Sequence, residues 1–246
     1  MAIDSYVSRF LLCALTVHTG AALAVDDANA PVYKFSTGYF SMTGADRAKV
    51  TGMDFNLRRA LGNGNVWLAW FRSPGMEIHQ IRAGWDQSFA LGPLRIQPSL
   101  QSASGGFWGG SVNLEMGETW FAGLGLGRTN LRPYVNLNFD PNDAWMASGG
   151  YRWTSGQSVA LQVVHDNRQN RDQQHVHLVY RAPLGQGSRI TLDLLDKRGT
   201  VDGIYVHRTG LSVGYDWPRI FARVSYDPKV NFTSQDMWRA QVGTRF

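Results

Sequence analysis

Two histidines, His175 and His177, are separated by a single residue in the stretch HVHLVYR. In an extended chain, alternate side chains lie on one face about 7 Å apart, so both imidazoles share a face with Arg181. Imidazole is a common metal ligand and a general acid or base. A metal site needs at least a third ligand, which this stretch does not supply. The sequence therefore predicts no metal site and no cofactor.

Nucleophilic chemistry has few candidates in this chain. Cys13 is the only cysteine, and it lies in an apolar run near the N-terminus. A serine nucleophile would need an adjacent base such as His207. The sequence around His207 matches no catalytic motif, so the chain is predicted not to be an enzyme. A lipid hydrolase stays open as an alternative.

Arginines recur along the chain at positions that alternate with apolar residues. Guanidinium groups bind carboxylates and phosphates through paired hydrogen bonds. With lysines included, the polar faces of the predicted strands carry twelve basic and six acidic side chains, an inferred net charge of +6. The whole chain has a net charge of +5, so the positive charge is concentrated on these faces. An alternative interpretation is that Arg–Asp pairs only neutralise one another. The arginines predicted to line a polar interior are Arg58, Arg82, Arg95, Arg132, Arg152, Arg181, Arg208, Arg223 and Arg239.

The elements that position these side chains all have the two-residue period of β-strands. Most segments have about the 9–11 residues that a tilted strand needs to cross a bilayer. Turn residues such as Gly62-Asn63-Gly64 and Ser73-Pro74-Gly75 separate them. The predicted strands are 31–43, 48–60, 65–73, 77–88, 94–104, 118–127, 131–140, 144–153, 157–166, 173–182, 188–197, 203–215, 219–227 and 235–246.

The two faces of these strands differ in a way that indicates a membrane protein. In 144–153, Trp145, Tyr151 and Trp153 alternate with small or polar residues and with Arg152. Aromatic residues fall near segment ends on the apolar row, whereas a soluble sandwich would place its bulkiest residues at strand centres. An apolar band with aromatic girdles and a polar interior is typical of a transmembrane β-barrel. The predicted fold class is therefore all-β, an antiparallel transmembrane β-barrel.

The N-terminus predicts export. Arg9 precedes an apolar run, and the small residues Ala22 and Ala24 occupy the positions that a signal peptidase reads. Residues 1–24 are predicted to be a cleaved signal peptide and 25–246 the barrel. Removing Cys13 with the signal leaves a mature chain without disulfides or thiol ligands.

The C-terminal stretch MWRAQVGTRF places Trp238, Ala240, Val242, Thr244 and Phe246 on one row. In this the chain resembles bacterial outer-membrane β-barrel proteins, a porin-like class, whose last strand alternates in the same way and ends in Phe. The resemblance identifies a class and no narrower family. It implies a Gram-negative outer-membrane location. It also implies that the barrel-insertion machinery recognises an assembly signal in Trp238, Val242 and Phe246.

Thirteen connections join about fourteen predicted strands, six short ones on the side of the termini and seven outside ones. The stretch GGFWGGSVNLEMG (105–117) is assigned to an outside loop. If it is a strand instead, the count changes, and twelve strands is the alternative. No predicted loop exceeds roughly a dozen residues, so little material is expected for a segment folded into the barrel.

A barrel of this size leaves room for a channel. We therefore expect a small porin that conducts ions and small solutes, with a preference for anions set by the arginine-lined lumen. A structural or adhesive barrel without transport is the alternative, followed by a lipid-modifying enzyme. Expected partners are outer-membrane lipid, lipopolysaccharide, the barrel-insertion machinery and small anionic solutes. Nucleic acid is not expected despite a pI of 9.5.

Overall fold

A computed structural model of the chain describes residues 31–44, 48–137, 140–201 and 203–246. The predicted signal peptide 1–24, its cleavage site and Cys13 lie outside the described residues. Within the described ranges, no helix is long and apolar enough to cross a membrane.

Fifteen strand segments make up the described fold. They are β1 (Tyr33–Thr43), β2 (Lys49–Leu61), β3 (Gly64–Ser73), β4 (Ile78–Gln87), β5 (Phe89–Leu91), β6 (Leu94–Ala103), β7 (Phe107–Met116), β8 (Trp120–Thr129), β9 (Ala144–Arg152), β10 (Ser158–Asp166), β11 (Gln174–Pro183), β12 (Arg189–Val201), β13 (Ile204–Asp216), β14 (Ile220–Asp227) and β15 (Asp236–Arg245). Both β4 and β5 pair with β6, so they form one barrel strand interrupted at Ser88.

The sheet closes on itself, because the first and last strands pair antiparallel over their full length. The Tyr33 amide donates to the Phe246 carbonyl at 2.8 Å, and the Phe246 amide donates to the Tyr33 carbonyl at 3.0 Å. The result is a closed antiparallel barrel of fourteen strands. The predicted fold class and strand number are confirmed, and the alternative of twelve strands is wrong.

The barrel carries its apolar side chains outside and its charged ones inside. Leu124, Trp108 and Trp238 are among the exposed apolar residues, with exposures of 63%, 61% and 56%. Arg82 and Lys197 are buried inside the wall. A soluble protein has the opposite distribution, whereas a barrel surrounded by lipid has this one.

Two of the predicted elements exchange roles. Residues 107–116, assigned to a loop, form β7, whose outward row includes Trp108, Val112 and Met116. Residues 131–140, assigned to a strand, form no strand within the described part of the chain. Proline has no amide hydrogen, so Pro133 is unsuited to the middle of a central strand. One strand is gained and one is lost, which is why the count of fourteen survives.

The connection between β8 and β9 folds into the barrel over its described residues, 130–137 and 140–143. We call it the inner segment. Its Val135 and Leu137 are buried against Phe40, Phe71 and Met237 on the inner face of the wall. This cluster is the main apolar core of the molecule, and it lies inside the lumen. The expectation that little material folds into the barrel is therefore wrong.

Candidate functional site

The candidate site is a polar cavity of about 410 Å³ inside the barrel. Tyr134, Leu137 and Asp140 of the inner segment line it on one side, and Lys34 and Arg245 line it near the chain termini. Its cationic side chains are Lys34, Arg58, Arg82, Arg181, Arg189, Arg223, Arg239 and Arg245, and its carboxylates are Asp54, Asp86, Asp140, Asp193 and Asp216. Eight lysine and arginine side chains against five carboxylates leave an excess of three positive charges, and His177, which also lines the cavity, adds to it when its ring is charged.

Some of these cations are neutralised by close carboxylates. Arg82 contacts Asp54, and both side chains are buried. Arg245 and Arg189 both contact the Asp216 carboxylate, and the guanidinium nitrogen of Arg189 lies 3.4 Å from its oxygen. Arg82 and Asp54 cancel each other, whereas the two arginines on Asp216 leave one positive charge uncompensated.

At least three cations in the cavity are not paired in this way. Among the described residues, Lys34, Arg223 and Arg239 form no ion pair with a carboxylate, and Arg239 instead donates to the Leu137 carbonyl. The Lys34 ammonium lies 4.4 Å from the centre of the Phe221 ring. Lys34 and Arg223 therefore contribute positive charge to the cavity that no described carboxylate contacts.

Polar side chains of the wall hold the inner segment by its backbone. The Gln80 amide receives a hydrogen bond from the Val135 amide at 2.8 Å and donates one to the Pro133 carbonyl at 3.1 Å. Arg82 donates to the Val135 carbonyl at 3.0 Å and Arg239 to that of Leu137 at 2.6 Å. A segment without strand partners needs such bonds, because buried backbone groups left unpaired are costly.

A second attachment joins the inner segment to β11 through charge. The Asp140 carboxylate lies 3.1 Å from His175 Nδ1 and 2.9 Å from His177 Nε2. The other His177 nitrogen, Nδ1, lies 2.9 Å from Asp193. An ionised carboxylate only accepts hydrogen bonds, so a His177 ring that donates to both Asp140 and Asp193 carries a positive charge. Burial acts to raise the pKa of the Asp140 carboxyl, but the neighbouring His177 and His175 lower this pKa below its usual range.

The nine arginines predicted to line the interior fall into three groups. Those that line the cavity are Arg58, Arg82, Arg181, Arg223 and Arg239. Arg95 and Arg152 instead bind Glu115, at 3.1 and 2.9 Å. Arg132 and Arg208 are exposed and are not among the cavity residues. The pore-lining role of all nine stays a prediction.

The residues predicted to form the assembly signal share the outer surface of the last strand. Trp238, Val242 and Phe246 are exposed by more than half. Their recognition during assembly is not visible in the structure and stays a prediction. His207, the candidate catalytic base, is exposed and lies 2.6 Å from Asp196.

The sequence analysis missed Gln80 and Lys197 as functional positions. Lys197 is fully buried and binds Asp227, and it also donates to the Lys229 carbonyl at 2.8 Å. Its inward orientation follows from parity with Arg189 and Asp193 on the same strand. No signal in the sequence indicates that Gln80 holds a second segment, because the inner segment itself was assigned to a strand.

Comparisons with known proteins agree with the architecture. No protein-family model and no curated protein matches the sequence. The outer membrane protein Omp33 of Acinetobacter baumannii matches at 11% identity and a TM-score of 0.52, over 87% of this chain and 98% of that one. A mutant of the Rh. blastica porin matches at 10% identity and a TM-score of 0.48, over 87% and 99%. The NanC porin matches at 9% identity and a TM-score of 0.46, over 86% and 98%. On its closed strand order and its likeness to Omp33, the chain has the porin-like fold of an outer-membrane β-barrel.

Proposed function

We propose that the protein is an outer-membrane channel for small solutes with a preference for anions. The observation that carries the proposal is the excess of cationic over anionic side chains around the cavity. In a lumen with low-dielectric walls, such an excess raises the local concentration of anions and repels cations. Guanidinium groups also match the geometry of carboxylates.

The inner segment restricts the size of the solutes. It fills part of the lumen with Val135 and Leu137 and leaves a cavity of about 410 Å³ beside them. This volume is at the small end of the range for sites that hold a small molecule. We infer that small ions and small carboxylates pass and that large solutes do not.

The outward apolar rows support an outer-membrane location. They present residues such as Trp108, Met116 and Leu124 to the surroundings, each exposed by 60% or more. An apolar surface of this extent is unfavourable in water and favourable in lipid. The proposed partners are therefore outer-membrane lipid, lipopolysaccharide and the barrel-insertion machinery.

A structural barrel without transport is the second candidate. The observation that favours it is the same inner segment, which packs an apolar cluster into the lumen. A lipid-modifying enzyme has less support, because the described partner of His207 is Asp196 rather than a serine.

Reversal potentials in a planar bilayer test the channel proposal. We expect anion preference at low salt that weakens as salt rises, since the Debye length falls from about 10 Å at 0.1 M to about 3 Å at 1 M. Replacing Lys34 and Arg223 together by Gln removes two of the three excess charges, so the anion preference at low salt should fall severalfold.

Arg171→Gln is the matched control, because Arg171 is exposed in the loop between β10 and β11 and is not among the cavity residues. It should leave the selectivity unchanged. Cation preference in the wild type would contradict the proposed lining. A folded barrel that conducts at no salt concentration would favour the structural candidate.

A further inference from the structure

Three potential metal ligands from two distant parts of the chain meet inside the barrel. His175 and His177 project from the inner face of β11, and Asp140 comes from the inner segment. All three side chains are buried, and one ligand atom of each lies within 4.8 Å of the others. The two histidines alone do not make a metal site, and Asp140 supplies the third ligand.

The donor set and its spacing suit a divalent transition metal. The Asp140 oxygen lies 3.1 Å from His175 Nδ1 and 2.9 Å from His177 Nε2. Two donors that each lie about 2.0–2.1 Å from one tetrahedral zinc ion are separated by about 3.3 Å, so these side chains need to move apart by only a few tenths of an ångström to admit the ion. Two imidazoles and one carboxylate are also a donor set of zinc sites that keep a fourth position open.

The surroundings of His177 match those of a metal ligand. Its Nδ1 lies 2.9 Å from Asp193, so Nε2 is turned towards Asp140. Histidines that bind metals usually donate their other ring N–H to a carboxylate or carbonyl, which fixes the ring and increases its basicity. Asp193 occupies that supporting position here.

His175 can present Nδ1 to a metal without losing another contact. Its Nε2 is buried and has no hydrogen-bond partner among the described residues. When Nδ1 becomes a ligand, the ring hydrogen moves to Nε2, and the metal–ligand bond must outweigh the cost of a buried N–H without a described partner. Because Asp140 and His177 also line the cavity, an ion can approach them from the lumen.

We propose that Asp140, His175 and His177 form a binding site for a divalent transition-metal ion, for which Zn²⁺ is the best match. The ion replaces the hydrogen on His177 Nε2, which leaves as one proton, and the hydrogen on His175 moves within the ring. The bound ion ties the inner segment to β11. The site does not depend on whether the lumen conducts, so a failure here leaves the channel proposal untouched.

Titration of the tag-free, metal-free barrel in detergent with Zn²⁺ tests the proposal by calorimetry. We expect saturable binding of one ion, measured from the heat of each injection. X-ray absorption at the zinc edge should show imidazole and carboxylate ligands.

Variants distinguish this site from adventitious binding. The double change His175→Gln and His177→Gln should abolish binding, and Asp193→Asn should weaken it about 10- to 100-fold, because Asp193 supports a ligand without being one. His207→Gln is the control and should bind as the wild type does, since His207 is exposed on another strand.

Heat-dependent migration on gels checks that each variant is a folded barrel. No saturable binding by the folded wild type would overturn the proposal and leave the trio as a salt-bridged attachment only. The same follows if binding persists in the folded double variant, or if it is lost in His207→Gln.

Discussion

Lys197 and Asp227 form a buried ion pair in the barrel wall, with exposures of 0% and 1% for their side chains. Lys197 also donates to the Lys229 carbonyl at 2.8 Å. Taking both charges out of water is expensive, and their mutual attraction offsets that cost only while both partners are present. The pair therefore makes this part of the wall sensitive to the loss of either side chain.

We expect Lys197→Met to lower the free energy of unfolding by about 3–5 kcal/mol, because it leaves Asp227 buried without its counter-ion. Urea unfolding of the refolded barrel in lipid vesicles measures the change. The control is Lys49→Met, since Lys49 is exposed at the start of β2 and its loss should have little effect. Equal effects of the two changes would mean that the buried pair does not stabilise the wall.

The sequence predicts which residues face inward better than it predicts their contacts. The two-residue period places Arg58 and Arg181 on inward rows, and both line the cavity. It does not predict that Arg95 and Arg152 bind Glu115, which lies on a different strand from either. Contacts between strands depend on register, and the period of a single strand carries no information about register.

The inner segment is the element that sequence patterns predicted wrongly. Its stretch LRPYVNLNFD alternates as a barrel strand would. The described structure explains the wrong prediction. Val135 and Leu137 are apolar because they pack inside the lumen, whereas in a barrel strand apolar residues at these positions would face lipid. Hydrophobicity alone does not distinguish these two environments. Pro133 was only a weak signal, because it stands third in the predicted strand and the observed strand β6 contains Pro98 in its interior.

At the scale of this element, Gln80 is the contact to test. It accepts from the Val135 amide and donates to the Pro133 carbonyl. Gln80→Leu leaves both groups unpaired, which costs about 1–3 kcal/mol for each buried group. We expect faster hydrogen exchange in peptides from the inner segment, measured by mass spectrometry.

Gln97→Leu provides the comparison for that measurement. Gln97 lies on β6 and makes no described hydrogen bond to the inner segment. Its exchange pattern should match the wild type in the inner segment. If Gln80→Leu leaves exchange there unchanged, Arg82, Arg239 and the apolar cluster hold the segment without it.

At the scale of the whole molecule, closure depends on the two ends of the chain. Tyr33 and Phe246 exchange backbone hydrogen bonds at 2.8 and 3.0 Å, and their rings stack with centres 5.7 Å apart. The alternating rows predicted this fold because lipid outside and polar groups inside impose one strict period on every strand. The pairing of the first strand with the last was not predicted by any local pattern, since the two are separated by the whole chain.

The terminal residue allows closure and recognition to be tested separately. Deleting Phe246 removes both its backbone bonds to Tyr33 and its outward ring, whereas Phe246→Ala removes only the ring. If the ring is part of an assembly signal, both changes should reduce the amount of folded barrel in the outer membrane while synthesis and export continue. Membrane fractionation and heat-dependent migration on gels measure this.

Trp217→Ala is the control, because Trp217 is another exposed aromatic residue at the same end of the barrel. The signal hypothesis is contradicted if Phe246→Ala assembles as well as Trp217→Ala and the wild type, and only the deletion is defective. Phe246 would then act through strand pairing and not as a signal.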